Sequence, residues 1–173
     1  EYETTEGEIS SPHVISHISI NPLDEQQVYV SSYYSGLIDL SNESAVEIFN
    51  QNNSTITPFV SDFYLTSVSS YDEQGAMWLM NGRVDKPLNK FLNGSWTSFD
   101  FSELISDPQS NLGFSDIVIS SDGTKWTGSY NYGLIGFNEK SSTPLLKNIS
   151  GEEQNMPSNR VWALATDKRN QLW

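Results

Sequence analysis

His13 and His17 are the only imidazoles in the chain, four residues apart in HVISH. On a strand, side chains alternate between faces, so that spacing puts both rings on one side. A zinc centre needs a third protein ligand. The simpler reading is a pair of sheet-surface or loop histidines, and no metal is expected. Adjacent acids occur at Asp24-Glu25, Asp72-Glu73 and Glu152-Glu153. Two carboxylates hydrolyse a glycosidic bond only when held across a cleft, and two of these pairs fall in hairpin turns, where solvated acids are ordinary. Oxygen-rich turns also suit calcium, but no spaced Asp-x-Asp-x-Asp loop is written. With no nucleophile–base pair and no phosphate loop, the expectation is a protein without catalytic residues and without a cofactor.

Aromatic residues are the better candidates. Tyr33, Tyr34, Tyr130 and Tyr132 lie in two nearly identical phrases, SSYYSGLIDL at 31–40 and GSYNYGLIGF at 128–137. Tyrosine offers apolar area with a polar tip, which suits stacking on a sugar ring or a protein partner. The alternative, which ordinary packing favours, is that the same rings pad the interface between adjacent repeats.

The repeated phrase directs attention to the elements that carry it. Upstream of each copy stands an aromatic, Tyr29 in QVYV and Trp126 in TKWT, with Trp78 midway in AMWLM and Trp173 in the last three residues, QLW. The intervals are 49, 48 and 47 residues. Each aromatic follows turn chemistry (21–27, 71–75, 120–124 and 167–170), where Asp, Asn and Gly supply hairpin conformations. Before each turn lies a short β-branched run, at 13–20, 65–70, 114–120 and 160–165. After the aromatic come GLIDL, NKFL and GLIGF, then VEIF, WTSF and PLLKNI. Four short strands in fewer than 50 residues, repeated, predict an all-β chain. Only 101–111 could hold a helical turn, which Pro108 is expected to stop.

Four antiparallel strands per repeat at this length make a β-propeller blade. The expected architecture is a propeller fragment of about three four-stranded blades plus the start of a fourth, with repeats at roughly 13–62, 63–111, 112–159 and an incomplete 160–173. Tyr29, Trp78, Trp126 and Trp173 should form the repeating core, and Gly36 and Gly133 should mark the same position in two blades. Three blades cannot close a ring, so the remaining blades of a longer protein are expected partners. A first residue other than Met and an end in NQLW point the same way.

Composition bounds the rest. Twenty-two Asp+Glu against 9 Lys+Arg give a net charge of −13. Phosphates repel such a chain, so nucleic acid and anionic membranes are not expected partners. No apolar run approaches the roughly 20 residues of a membrane-spanning helix.

The wording inside the repeats resembles a known family. NMPSNRVWALATDKRNQLW at 155–173 and KWTGSYNYGLIGF at 125–137 are similar to the two-component regulator propeller repeat, with Trp126, Gly128, Gly133 and Leu134 on its pattern. The likeness is weak in the second unit, where LMNGRVDKPLNKF is contracted. The first unit resembles PorZ-type proteins of the Bacteroidetes type IX secretion system through Pro12-His13-Val14, Asn21-Pro22, Tyr29-Val30-Ser31, Gly36-Leu37 and Phe49-Asn50 with Asn53-Ser54. The resemblance implies an extracytoplasmic, non-catalytic binding or scaffold propeller at the cell surface or in the periplasm. Its implied partners are proteins, surface glycan or lipopolysaccharide. The other branch of the family implies the ligand-sensing propeller of a hybrid two-component histidine kinase. A further stretch, SSDGTKW at 120–126, resembles the Asp-box hairpin of sialidases, one residue short. With arginine only at Arg83, Arg160 and Arg169, the cluster a sialidase needs is missing.

Overall fold

β-branched runs separated by short turns leave each strand little choice but to pair with the next one, antiparallel. The computed structural model describes residues 14–42, 46–140 and 145–173, with the backbone of two short strands near the N-terminus. These are β1 (Glu3–Thr4) and β2 (Gly7–Glu8), which pair with each other. Three four-stranded meanders follow. The first holds β3 (Ile15–Asn21), β4 (Asp24–Ser32), β5 (Gly36–Asp39) and β6 (Glu47–Phe49). The second holds β7 (Thr66–Tyr71), β8 (Met77–Asn81), β9 (Leu88–Leu92) and β10 (Ser95–Phe99). The third holds β11 (Phe114–Ile119), β12 (Lys125–Ser129), β13 (Leu134–Asn138) and β14 (Leu145–Ile149). Strand order follows chain order in every sheet. The first strands converge, β7 lying between β3 and β11.

Strand β8 shows why the sheets stack. All five of its residues, Met77-Trp78-Leu79-Met80-Asn81, are buried. The two-residue period sends Met77 and Leu79 to one face, against Tyr29, Leu37 and Phe49 of the first sheet. It sends Trp78 and Met80 to the other, against Phe114, Ile135 and Phe137 of the third. A strand covered on both faces reads as a continuous apolar run rather than an alternation. Polar pins cross the same seams. The Thr66 hydroxyl accepts from Ser32 N at 3.1 Å and lies 2.7 Å from the carbonyls of Ser32 and Gly36. Ser69 Oγ and Ser19 Oγ are 2.8 Å apart.

Tyr29, Trp78 and Trp126 occupy one position in their sheets, paired across to Asp39, Lys90 and Gly136 of the following strand. Their environments differ. Tyr29 and Trp78 are buried. Lys125, 2 % exposed, sets its Nζ 3.8 Å from the Trp78 ring centroid and pairs with Glu139, which also faces Lys90 at 3.5 Å. Burial pushes the Lys125 ammonium down, and the Glu139 carboxylate opposes that.

Asp72 closes the other end of the Trp78 ring. Its carboxylate accepts from the indole Nε1 and from the backbone N–H groups of Gln74 and Ala76, each at 3.0 Å. Burial pushes this carboxyl up, but those hydrogen bonds outweigh it and hold the group below the ordinary carboxylate range. A depressed folded-state pKa stabilises above the unfolded value and is lost as pH falls through the folded one. Asp72→Asn is therefore expected to flatten the loss of stability below about pH 4. Chemical denaturation at pH 7 and at pH 3 measures it, and an unchanged slope would remove Asp72 from the account.

Several sequence expectations are corrected. Trp126 is half-buried rather than enclosed, its ring under Gly136 with Lys147 Nζ 5.2 Å above it. Trp173 is 72 % exposed, because no described sheet lies over it. The run 160–165 forms no strand among the described residues. It makes scattered bonds along the third sheet, such as Val161 N to Ser129 O at 2.9 Å and Leu164 N to Asp116 Oδ2 at 2.8 Å, before Ala165 and Trp173 pair backbone to backbone. The first turn is two residues, not seven, since β4 already starts at Asp24. Pro108 begins the short helix α1 (Pro108–Asn111) instead of stopping one. Its missing N–H costs nothing at a first helical position.

Candidate ligand-binding site

In a four-stranded meander, the link from second to third strand emerges at the same end as the link from fourth strand to the next sheet. Six such connections gather at that end, and the repeated phrase is one of them. Ser32 Oγ accepts from the N–H groups of Tyr34 and Ser35, both at 3.3 Å. Ser129 Oγ accepts from Tyr132 N at 2.8 Å. The glycines that close these turns have φ of +83° and +74°, and a Cβ would stand 2.3 Å from Phe49 O at Gly36 and 2.2 Å from Ile149 O at Gly133. Only glycine meets both demands.

This turn fixes the ring that precedes it. Tyr33 N donates to Val14 O, and Tyr130 N to Gly113 O, each at 3.0 Å. In the second sheet the same bond is made by Gly82, whose N–H donates to Leu65 O at 3.0 Å. Gly82 thus holds the position that tyrosine holds on either side of it. Gly82 lines a cavity of about 350 Å³, with Tyr33, Phe63 and Tyr130 among its other walls. A Cβ on Gly82 would lie 2.9 Å from Leu112 O, so the gap is kept by backbone contact. Burial, and then the neighbouring Tyr130, push the Tyr33 phenol up, leaving it protonated at neutral pH.

Two further wall residues, Leu65 and Arg83, are non-glycines with positive φ, 49° and 56°. Such conformations cost on the order of 1–3 kcal/mol each and gather at ligand sites. Arg83 lies in the link from β8 to β9, 82–87, which is longer than the matching links 33–35 and 130–133 and is closed by Asn81 N donating to Pro87 O at 2.8 Å. The Arg83 guanidinium rests on Phe59, its carbon 5.1 Å from the ring centroid.

The four tyrosines separate. Tyr33 and Tyr130 meet at the cavity. Tyr34 is 46 % exposed and leans on Phe63 outside it, centroids 5.0 Å apart. Tyr132 packs against the core between second and third sheets. Tyr130 also meets Trp162 edge-on at 5.7 Å. The sequence reading missed Phe63, Gly82 and Arg83; the signal for the last two was that 79–91 departs from the repeated phrase, while Phe63 lies outside that stretch. Among the described residues no three His, Asp or Glu side chains gather as a metal site. His17 is half-buried, and Pro12-His13 fall outside the described residues.

No family model matches the sequence, and no curated protein does. Solved structures do. The extracellular domain of the hybrid two-component system protein BT4673 from B. thetaiotaomicron superposes with a TM-score of 0.68 at 16% identity, over 99% of this chain and 21% of that one. The fold is that of β-propeller blades. A second extracellular domain, of BT3049 from the same organism, gives a TM-score of 0.60 at 18% identity, over 99% of this chain and 20% of that chain. PorZ, a surface component of the type IX secretion system of Porphyromonas gingivalis, gives 0.51 at 16% identity, over 91% of this chain and 30% of its own. The chain therefore spans about a fifth of the two-component domains and under a third of PorZ. The cavity lies at the end of the propeller where blade-to-blade connections converge, flanked by blades one and three and floored by blade two.

Proposed function

We propose that the chain is part of a non-catalytic, extracytoplasmic propeller that binds a ligand at the end carrying Tyr33 and Tyr130. The observation that carries this reading is the cavity those rings flank, built by backbone-locked turns. At about 350 Å³, it falls in the range of small-ligand pockets. No catalytic constellation accompanies it among the described residues. On this reading the stretches 13–62, 63–111 and 112–159, with the opening of a fourth at 160–173, contribute to a single larger ring.

The wording of the first blade, Pro12-His13-Val14 through Asn53-Ser54, supports a PorZ-like role in type IX secretion and cell-surface attachment, with protein, surface glycan or lipopolysaccharide as partner. A pocket sized for a small molecule favours the second reading, the sensing domain of a hybrid two-component histidine kinase. The coding region around the chain separates them. A membrane span and kinase downstream make it a sensor. A signal peptide, further blades and a small terminal β-domain without a span make it PorZ-like. Location is tested independently. Protease added after permeabilising only the outer membrane should degrade the protein, and survival until the inner membrane is lysed would end the extracytoplasmic reading.

A further inference from the structure

The cavity between Tyr33 and Tyr130 bears one cation, Arg83, in a chain where acids outnumber bases 22 to 9. Among the described residues Arg83 forms no ion pair. Its guanidinium carbon lies 5.1 Å from the Phe59 ring centroid, and Arg83 lines both this cavity and a second one that Phe59 also lines. The planar N–H fork of a guanidinium matches a carboxylate in two parallel hydrogen bonds.

The remaining wall limits what can sit beside that fork. Phe63, Leu65, Leu112, Phe114 and the two tyrosine rings are apolar surface. Two of the polar groups among them are engaged: Asn131 Nδ2 donates to Asn111 O at 3.0 Å, and Ser67 Oγ donates to Met80 O at 3.4 Å. A buried sugar ring brings several hydroxyls, each costly when left without a partner. A flat aromatic ring brings none, and it gains offset or edge contact with Tyr33, Phe63 and Tyr130.

We infer that the Tyr33–Gly82–Tyr130 cavity binds a small aromatic carboxylate, its ring between the two tyrosines and its carboxylate on Arg83. The inference rests on the proposed binding role of this end of the propeller. It deepens that role by naming the ligand class.

Isothermal titration of the full-length protein tests it, with phenylacetate as probe and benzyl alcohol and glucuronate as comparators. Phenylacetate should bind, and benzyl alcohol, which keeps the ring and drops the charge, about tenfold or more weakly. Glucuronate, which keeps the charge on a hydroxylated ring, should be weaker than phenylacetate by a similar factor. Arg83→Met keeps the stem over Phe59, and should lose at least about tenfold for phenylacetate while leaving benzyl alcohol unchanged. The unmodified protein alone already gives the ranking of the three probes, so a poorly folding variant does not decide the matter. No binding of phenylacetate, equal binding of benzyl alcohol, or tighter binding of glucuronate would each overturn the assignment. None of these outcomes touches the protease result, which judges the extracytoplasmic reading separately.

Discussion

Trp78→Ala is expected to destabilise the protein by about 3–5 kcal/mol, the range for truncating a large core aromatic. The indole is fully buried, stacked on Phe99 with centroids 5.7 Å apart. It also touches three charges. Lys125 and Lys90 set their Nζ atoms over the ring, and Asp72 accepts its N–H. Truncation leaves a cavity, and beside it an ammonium that has lost its π partner and a carboxylate that has lost a donor. The cost should therefore sit at the upper end of the range. Trp126→Ala, at the same repeat position but half-buried, should cost less than half as much. Urea unfolding of both variants makes the comparison. Equal losses would show that position in the repeat, not local burial, sets the energy.

Gly133→Ala should be nearly as damaging. A left-handed residue with a Cβ costs roughly 1–2 kcal/mol by itself. Here the Cβ would also stand 2.2 Å from Ile149 O, inside any allowed contact. The backbone must then move where β13 and β14 pair, so a total of about 3 kcal/mol or more is expected. Gly94 is the control. It has nearly the same φ, +76°, but nothing within 4 Å of an added Cβ. Gly94→Ala should cost only the conformational part, about 1 kcal/mol. Thermal unfolding of the two variants separates strain from collision, and matching midpoints would refute the collision.

These residues also show what the sequence made legible. Tyr29, Trp78 and Trp126 announce the blade period because a second strand buried in a repeating sheet stack must place an apolar ring at the same register each time. Gly36 and Gly133 are legible because positive φ and a carbonyl at contact distance leave one residue type possible. Ala165 to Trp173 was less legible. A run such as RVWALA has strand composition, but a strand needs a partner ladder, and Trp173 has no sheet over it. The cavity was half legible. Tyr33 and Tyr130 stand out because their phrase repeats, whereas Phe63 and Arg83 lie in the second unit, outside that phrase, and join the two rings around one cavity only when the blades stack. Pro108 misled for a local reason: one residue type both stops a helix and starts one, and composition alone does not say which.

Gly82 has a wider implication. Repeat arrays are commonly stabilised by rewriting every unit toward the shared consensus. Applied to this chain, that procedure would read tyrosine on both sides and write an aromatic at 82, against a carbonyl 2.9 Å from the first added carbon. The regularised array would repair its own irregularity and crowd the cavity that Tyr33 and Tyr130 flank. Selectivity here is stored as a departure from self-similarity. Across such arrays, the units that align worst with their neighbours are the ones to examine first for recognition.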